Sequence, residues 1–370
     1  MNKKNCILIV CILIGMSLLL LAEIKTNFTH PERDESIASP VSVDKAASTF
    51  SIEIPDTWKE DIDQHNRIDA EITVPERIRE NGFQSVTAEI KDVNQEGTLA
   101  LLETYYHPQK GEEDDQVIQY VGEDNMYLYF FKTGGASLSS TFRDYVSMAY
   151  REEFTEDYNR DLYPVNVELE NFSLRECESK ISDFCQSVGI SGEMNLTYRA
   201  LDYRTMEDEA EELHPDGTRT KPDYQWTVDD NSYYCTISQA CNGLSIVPNY
   251  YLTSYADILN VGGHTCLLNK EKIVSFYINN IYDIQYEDRY EKLMEFSDVL
   301  EKYREYVGIA KQDYETVVTD ISMIAVVVNQ GDREYQIIPV WVFFGYWEEM
   351  TENVRGDHAV FINAVTGERL

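Results

Sequence analysis

The stretch TVVTDISMIAVVVNQGDREYQIIPVWVFF, Thr316 to Phe344, sets the fold class of the chain. β-Branched and aromatic residues dominate Thr316 to Val328 and again Tyr335 to Phe344, and such side chains pack best on a pleated surface. Asn329-Gln330-Gly331-Asp332 between them supplies turn residues. Two strands are expected here, with a third over Ala359 to Ala364.

Working back from that stretch, a helix is expected from near Ser297, with Val299, Leu300, Tyr303 and Val307 inward and an end before Gly308. A second helix has clearer punctuation. Ser173 with Glu176 three residues on makes a capping box, and Leu174, Cys177, Ile181, Phe184, Cys185 and Val188 mark one apolar face before Gly189. Strands are expected over Leu196 to Tyr203, Tyr233 to Ile246 and Ile273 to Ile284. Met206 to Leu213 is acidic and helix-compatible, running into a His214-Pro215-Asp216-Gly217 loop. Residues 163–370 are thus expected to form an α+β domain of two helix-plus-antiparallel-sheet units.

Residues 49–162 are expected to be β-rich. Phe50, Ile52 and Ile54 alternate, as do Val86, Ala88 and Ile90, and a further β-rich run covers Thr98 to Tyr106. Val117 to Val121 and Met126 to Phe131 follow, joined by a Gly122-Glu123-Asp124-Asn125 turn. Phe142 to Tyr158 fits a strand or, in its second half, a helix.

The first apolar run, Cys6 to Ala22, carries no charge and follows Lys3 and Lys4. At about 1.5 Å per residue it nearly spans a hydrocarbon core of about 30 Å. The lysines favour a cytoplasmic N-terminus. Residues 1–24 are therefore expected to be an N-terminal membrane anchor helix or a signal segment. A cleaved signal would use Leu20 and Ala22, and a lipoprotein would need a small residue where Val10 precedes Cys11. Polar residues 25–48, broken by Pro31 and Pro40, read as a flexible tether. The expectation is a single-pass cell-membrane protein with the bulk of the chain extracytoplasmic.

Charge limits the partners. The 66 acids against 31 bases, a formal net charge of −35, repel phosphate backbones and exclude nucleic acid. Beyond the anchor lie Cys177, Cys185, Cys235, Cys241 and Cys266, an odd number, so at least one thiol stays out of any intrachain bridge. Cys177 and Cys185 are about 12 Å apart along one helix, too far to pair, and read as small core residues. Cys235 and Cys241 could pair only if the chain turned between them.

Motifs for chemistry are sparse. Asp92-x-Asn94-x-Glu96-Gly97 with Glu103 at the twelfth place has calcium-loop spacing, but an EF-hand needs helices on both sides and the flanks here read as strands. The histidines at 30, 65, 107, 214, 264 and 358 form no metal-hydrolase pair. Ser42-x-x-Lys45 and Lys132-Thr133-Gly134 lack the helix and spacing of serine enzymes that use such motifs. No cofactor and no enzymatic activity are expected. Trp58, Trp226, Trp341 and Trp347, with many tyrosines, could line a glycan-binding face, although cores and sheet faces are their commoner place.

Tyr335-Gln336-Ile337-Ile338-Pro339-Val340-Trp341, then Phe361-Ile362-Asn363-Ala364-Val365-Thr366-Gly367-Glu368, resembles the close of PepSY-like domains and of YycI/YycH-type regulators of Gram-positive bacteria. In those, a strand ending Pro-x-Trp precedes one ending in an Asn/Asp-Ala-x-Thr-Gly-Glu turn. The resemblance covers roughly residues 170–370, with Pro339, Trp341, Asn363 and Gly367 as its motif residues. The chain is also similar to secreted or anchored proteins of gut clostridia that share this ending. The resemblance implies a non-catalytic protein that modulates an envelope partner, a sensor kinase or protease, by protein contact. A surface module for glycan or peptide is the other expectation.

Overall fold

The computed structural model describes residues 53–150, 159–248, 263–307, 314–331, 334–349 and 355–370. The expected anchor Cys6–Ala22, the tether and Ser42 lie outside the described residues, and among the latter no helix is long and apolar enough to cross a membrane.

The chain opens with β1 (Thr57–Asp61), β2 (Asn66–Thr73), α1 (Glu76–Asn81) and β3 (Phe83–Lys91). There follow α2 (Gln95–Tyr106), β4 (Gln109–Glu113), β5 (Val117–Gly122), β6 (Met126–Phe131), β7 (Ala136–Ser139) and α3 (Thr141–Ala149). After α4 (Leu174–Val188) come β8 (Glu193–Leu201), α5 (Tyr203–Glu209), and the two-residue strands β9 (Glu212–Leu213) and β10 (Arg219–Thr220). Next are β11 (Ser232–Cys241), β12 (Leu244–Pro248), β13 (His264–Asn269), β14 (Ile273–Ile278) and β15 (Ile281–Glu291). The chain closes with α6 (Phe296–Val307), β16 (Tyr314–Gly331), β17 (Glu334–Glu349) and β18 (Arg355–Asn363).

The antiparallel hairpin β16–β17 is the spine. Each of its strands changes neighbour midway. β17 pairs with β3 from Glu334 to Ile337 and with β18 from Val340 to Glu348. β16 runs parallel to β2 from Thr316 to Ser322 and parallel to β12 from Ala325 to Val327. Pro339 sits at the handover on β17, between the last pair with β3 and the first with β18. Its backbone faces that side, because its carbonyl accepts the Ala364 N–H at 2.9 Å. The missing proline N–H therefore removes no ladder bond.

From β12 the sheet continues through β11, β13, β14, β7, β6, β5 to β4, with β8 beside β11 and β15 beside β3, sixteen strands among the described residues. This overturns the expected architecture of a β-rich first part followed by two PepSY-like helix-plus-sheet units. Strands from residues 57–139 and 193–363 interleave in one mixed sheet, with parallel pairs at β16–β2 and β12–β16. Local periodicity identifies a strand but carries no information about which distant strand lies beside it.

Local signals account for most elements. α4 carries the capping box, with the Glu176 N–H donating to Ser173 Oγ at 3.2 Å and the Ser173 N–H to Glu176 Oε2 at 3.0 Å, and it ends at left-handed Gly189. The β5–β6 hairpin turns through Asp124 and Asn125, both at positive φ, as a two-strand twist demands. Three expectations fail. The Thr98–Tyr106 run is not a strand but most of α2, capped by the Asn94 side chain, which accepts the Gly97 N–H at 3.1 Å. Thr98, Leu102 and Tyr106, four apart, face the core, while Leu99, Leu101 and Tyr105 are half-buried and blur the helical period. Within Phe142 to Tyr158 the first half is helical, as α3, and residues 151–158 lie outside the described set. Asn242-Gly243, both at positive φ, turn β11 back into β12 at the Cys241–Leu244 pair, splitting the expected Tyr233–Ile246 strand.

Four cores result. One lies on the α6 side of the spine, where Trp341 packs on Phe296 at 5.4 Å and Tyr303 stacks on Phe343 at 4.3 Å. The opposite face of the spine holds Val247, Ile324, Val326, Val340, Val342, Ala359 and Phe361, all at most 6% exposed. The third fills the space between α2, α4 and the sheet around β6, β11 and β13. The fourth gathers Phe142, Tyr163, Leu201, Met206, Trp226, Leu267 and Val274 with α3 and α5.

Candidate functional site

The residues singled out by the calcium-loop spacing do not form a loop. Asn94 caps α2, and Glu96 and Glu103 lie on that helix; Glu103 approaches His107 Nδ1 at 3.5 Å. Asp92 precedes the cap and is exposed. Among the described residues no group of three or more His, Cys, Asp or Glu side chains is placed to hold a metal ion.

The C-terminal motif residues do come together, as a joint. Asn363 Oδ1 accepts the N–H groups of Val365 at 2.9 Å and Thr366 at 3.1 Å, and the Gly367 N–H donates to the Asn363 carbonyl at 2.9 Å. Gly367 stands at φ +75, and a Cβ there would crowd Met294 Sδ at 2.9 Å. Its carbonyl accepts the Tyr306 hydroxyl at 2.9 Å. Ala364 bridges Pro339 and Met294 through its own N–H and carbonyl. The turn thus fastens β18, β17 and the entry to α6 beside buried Trp341. Every one of these contacts is structural.

A different surface has the attributes of a binding site. Strict alternation along β6 sends Met126, Leu128 and Phe130 into the core and Tyr127 and Tyr129 to the other face. The same alternation holds on β7, whereas β11 and β13 are buried at most positions. Strand register then aligns one cross-strand row: Gln119 (β5), Tyr129 (β6), Ser137 (β7), Tyr277 (β14), Thr265 (β13), Thr236 (β11) and Thr197 (β8). A shorter second row runs Val121, Tyr127, Ser139. Tyr277, Tyr127 and Val121 are 46%, 42% and 37% exposed, and the remaining residues of both rows are half-buried.

No member of either row is ionisable at neutral pH, in a chain in which 26% of residues are charged. Along the β4 edge Glu113 pairs with both Lys110, at 2.7 Å, and Lys132, at 3.4 Å. Their attraction holds the Glu113 carboxyl below the ordinary carboxylate range, chiefly through the Lys110 contact. The Gln119 amide donates to the Tyr129 hydroxyl at 3.1 Å, fixing that ring's tip. Tyr129 and Tyr277 are two strands apart, about 10 Å at normal strand spacing. The row can offer aromatic surface together with hydroxyl and amide groups, and Arg199, two residues from Thr197 on β8, is the charged side chain that shares its face at that end.

The tryptophans lie elsewhere. Trp341 and Trp226 are buried, Trp58 packs edge-on against Phe296 at 5.9 Å, and Trp347 against Tyr314 at 5.0 Å. The tyrosine face was half visible in sequence, since Met126 to Phe131 alternates plainly. That Tyr277 arrives two strands away was not, because it depends on pairing across 140 or so intervening residues.

No protein-family model and no curated protein matches the chain. Among solved structures it is similar to an uncharacterized protein from Eubacterium rectale ATCC 33656, at 16% identity and a TM-score of 0.60, over 85% of this chain and 93% of that one. That likeness concerns the fold alone.

Proposed function

We propose that the protein is a non-catalytic extracytoplasmic binding protein whose Tyr-Ser-Thr sheet face takes a neutral polysaccharide chain. The single observation behind this reading is the uncharged row from Gln119 to Thr197 on an otherwise strongly acidic molecule. Tyrosine rings supply flat apolar surface for the C–H face of a sugar with a hydroxyl at the tip, and the flanking serines, threonines and Gln119 exchange hydrogen bonds with sugar hydroxyls. The acidic remainder disfavours anionic glycans. The uncharged run Cys6–Ala22 supports delivery to the membrane. Affinity electrophoresis through gels containing xylan, glucomannan, starch or, as anionic controls, pectin and hyaluronan tests the reading. Retardation by at least one neutral polymer and by neither anionic one is expected; equal mobility in all gels refutes it.

A second reading, modulation of a membrane-associated protein partner by contact, draws on a different observation. Leu162, Val165, Val167 and Leu196 are 50%, 39%, 44% and 36% exposed beside the β8 edge, where Val165 bridges to Arg199. A photo-crosslinking residue in place of Val167 would capture one membrane protein in cells if this surface is a contact, and none if it is not.

A further inference from the structure

We propose that Cys177 and Cys235 become joined by a disulfide when the chain folds in contact with a disulfide oxidant. Cys177 lies in the first turns of α4 and Cys235 in the middle of β11, and their sulfurs stand 3.6 Å apart. Both are at most 1% exposed. Closing to a bond of about 2.05 Å needs a sulfur movement of about 1.5 Å, within the reach of side-chain rotation.

The other thiols are placed differently. Cys185 is two turns along α4 from Cys177, about 12 Å by helix rise. Cys266 opposes Cys235 across the β11–β13 ladder, and Cys241 lies in the separate core beside the spine. Among the described thiols, the helix-to-strand pair is the one in sulfur contact.

The chemistry is an exchange. One cysteine thiolate attacks a donor disulfide R–S–S–R and expels R–S⁻, forming a mixed disulfide. The second cysteine thiolate then attacks the protein sulfur and expels the other R–S⁻. One donor S–S bond is broken and one protein S–S bond is made, two protein thiols are oxidised, and their two protons end on the donor thiols. Thiolate is the reactive species, and burial pushes the Cys235 thiol well above its ordinary range. Exchange therefore takes place before α4 closes over β11. The bridge would then fasten α4 to the sheet whose opposite face carries the Tyr129–Tyr277 row, and by restricting the unfolded chain it stabilises the folded one.

The test is to refold the reduced full-length chain with oxidised and reduced glutathione, block free thiols, digest without reduction and identify linked peptides by mass spectrometry. The expected product links Cys177 to Cys235 and leaves Cys185, Cys241 and Cys266 alkylated, with a higher denaturant midpoint than the same chain refolded in dithiothreitol. Alkylation of all five, or a link from Cys235 to Cys266 or Cys185, overturns the proposal. Cys266→Ala keeps the link and Cys177→Ala abolishes the redox dependence of the midpoint. Should Cys177→Ala fail to fold, the mapping on the unsubstituted chain still decides.

Discussion

The spine hairpin and the arm of the sheet around β6, β7 and β14 are built from the same kinds of strand but bury them differently. β16, β17 and β18 are apolar on both faces, with Trp341, Phe343 and Ile362 on one and Val326, Val340 and Phe361 on the other. The arm strands are apolar on one face, against α2 and α4, and carry Tyr127, Tyr129, Ser137 and Tyr277 outside that core, with Val274 at the start of β14 packed separately against α3. A strand buried on both sides has no side chains left for a ligand, so its residues answer only to packing. A strand buried on one side has every second residue available. In this molecule the residues that looked like a motif, Pro339, Trp341, Asn363 and Gly367, belong to the first kind of region, and the candidate binding residues to the second.

That contrast predicts a gradient of mutational effects. At its steep end, Trp341→Ala empties a site that is 1% exposed and packed against Phe296, and a loss of about 3–5 kcal/mol is expected in urea unfolding. A loss below about 1 kcal/mol would break the comparison.

Next come two histidines, buried His264 and half-buried His358, one in each region. Burial, joined at His358 by the nearby Arg369 charge, lowers His264 and His358 from 6.5 to about 4. His264 Nδ1 accepts the Asn279 N–H at 3.2 Å, and His358 Nε2 meets the Tyr303 hydroxyl at 3.2 Å. Because the folded values lie below the unfolded ones, their contribution is complete above pH 6.5 and is lost as pH falls through about 4. The loss is up to about 3 kcal/mol for each. Unfolding free energies measured between pH 7 and 4 should fall accordingly and fall less in His264→Gln; a flat profile would show that neither imidazole stays neutral.

Asn363→Ala removes the acceptor for two turn N–H groups and should cost about 1–2 kcal/mol, read from the same urea curves. Smaller still is the Arg304–Glu60 pair linking α6 to β1 at 2.9 and 2.8 Å. Arg304 is the main cause of the lowered Glu60 carboxyl, so the pair stabilises above the ordinary carboxylate value of 4.5 and is lost as pH falls below it. Both groups are partly exposed, which holds the effect of Arg304→Gln to about 0.5–1 kcal/mol at pH 7. The variant and the parent should converge in acid.

How much of this was legible follows the same division. α4 announced itself through Ser173, Glu176 and Gly189, and the β5–β6 hairpin through Asp124-Asn125, because caps and turns are local chemistry. The helix at Gln95–Tyr106 was hidden by Leu99, Leu101 and Tyr105, which add apolar residues off the buried stripe. The architecture was hidden more deeply. The pairing of β3 with β17 ahead of Pro339, the change of partner between Ser322 and Ala325, and the parallel placement of β2 and β12 are set by contacts more than 70 residues apart in sequence, which no local period encodes. The tyrosine row shares that fate: each strand displayed its own alternation, and only the assembled register made the alternations into a surface.

The most direct measurement pairs stability with binding in one variant, Tyr129→Ala/Tyr277→Ala. Both residues stand on the solvent face, so urea unfolding should shift by no more than about 1 kcal/mol for the two together. Titration calorimetry with the neutral polysaccharide that retards the parent chain should show affinity reduced about tenfold or more, the loss of roughly 1–2 kcal/mol that aromatic contacts supply. Unchanged affinity in a folded variant would contradict the assignment of this face as the binding surface.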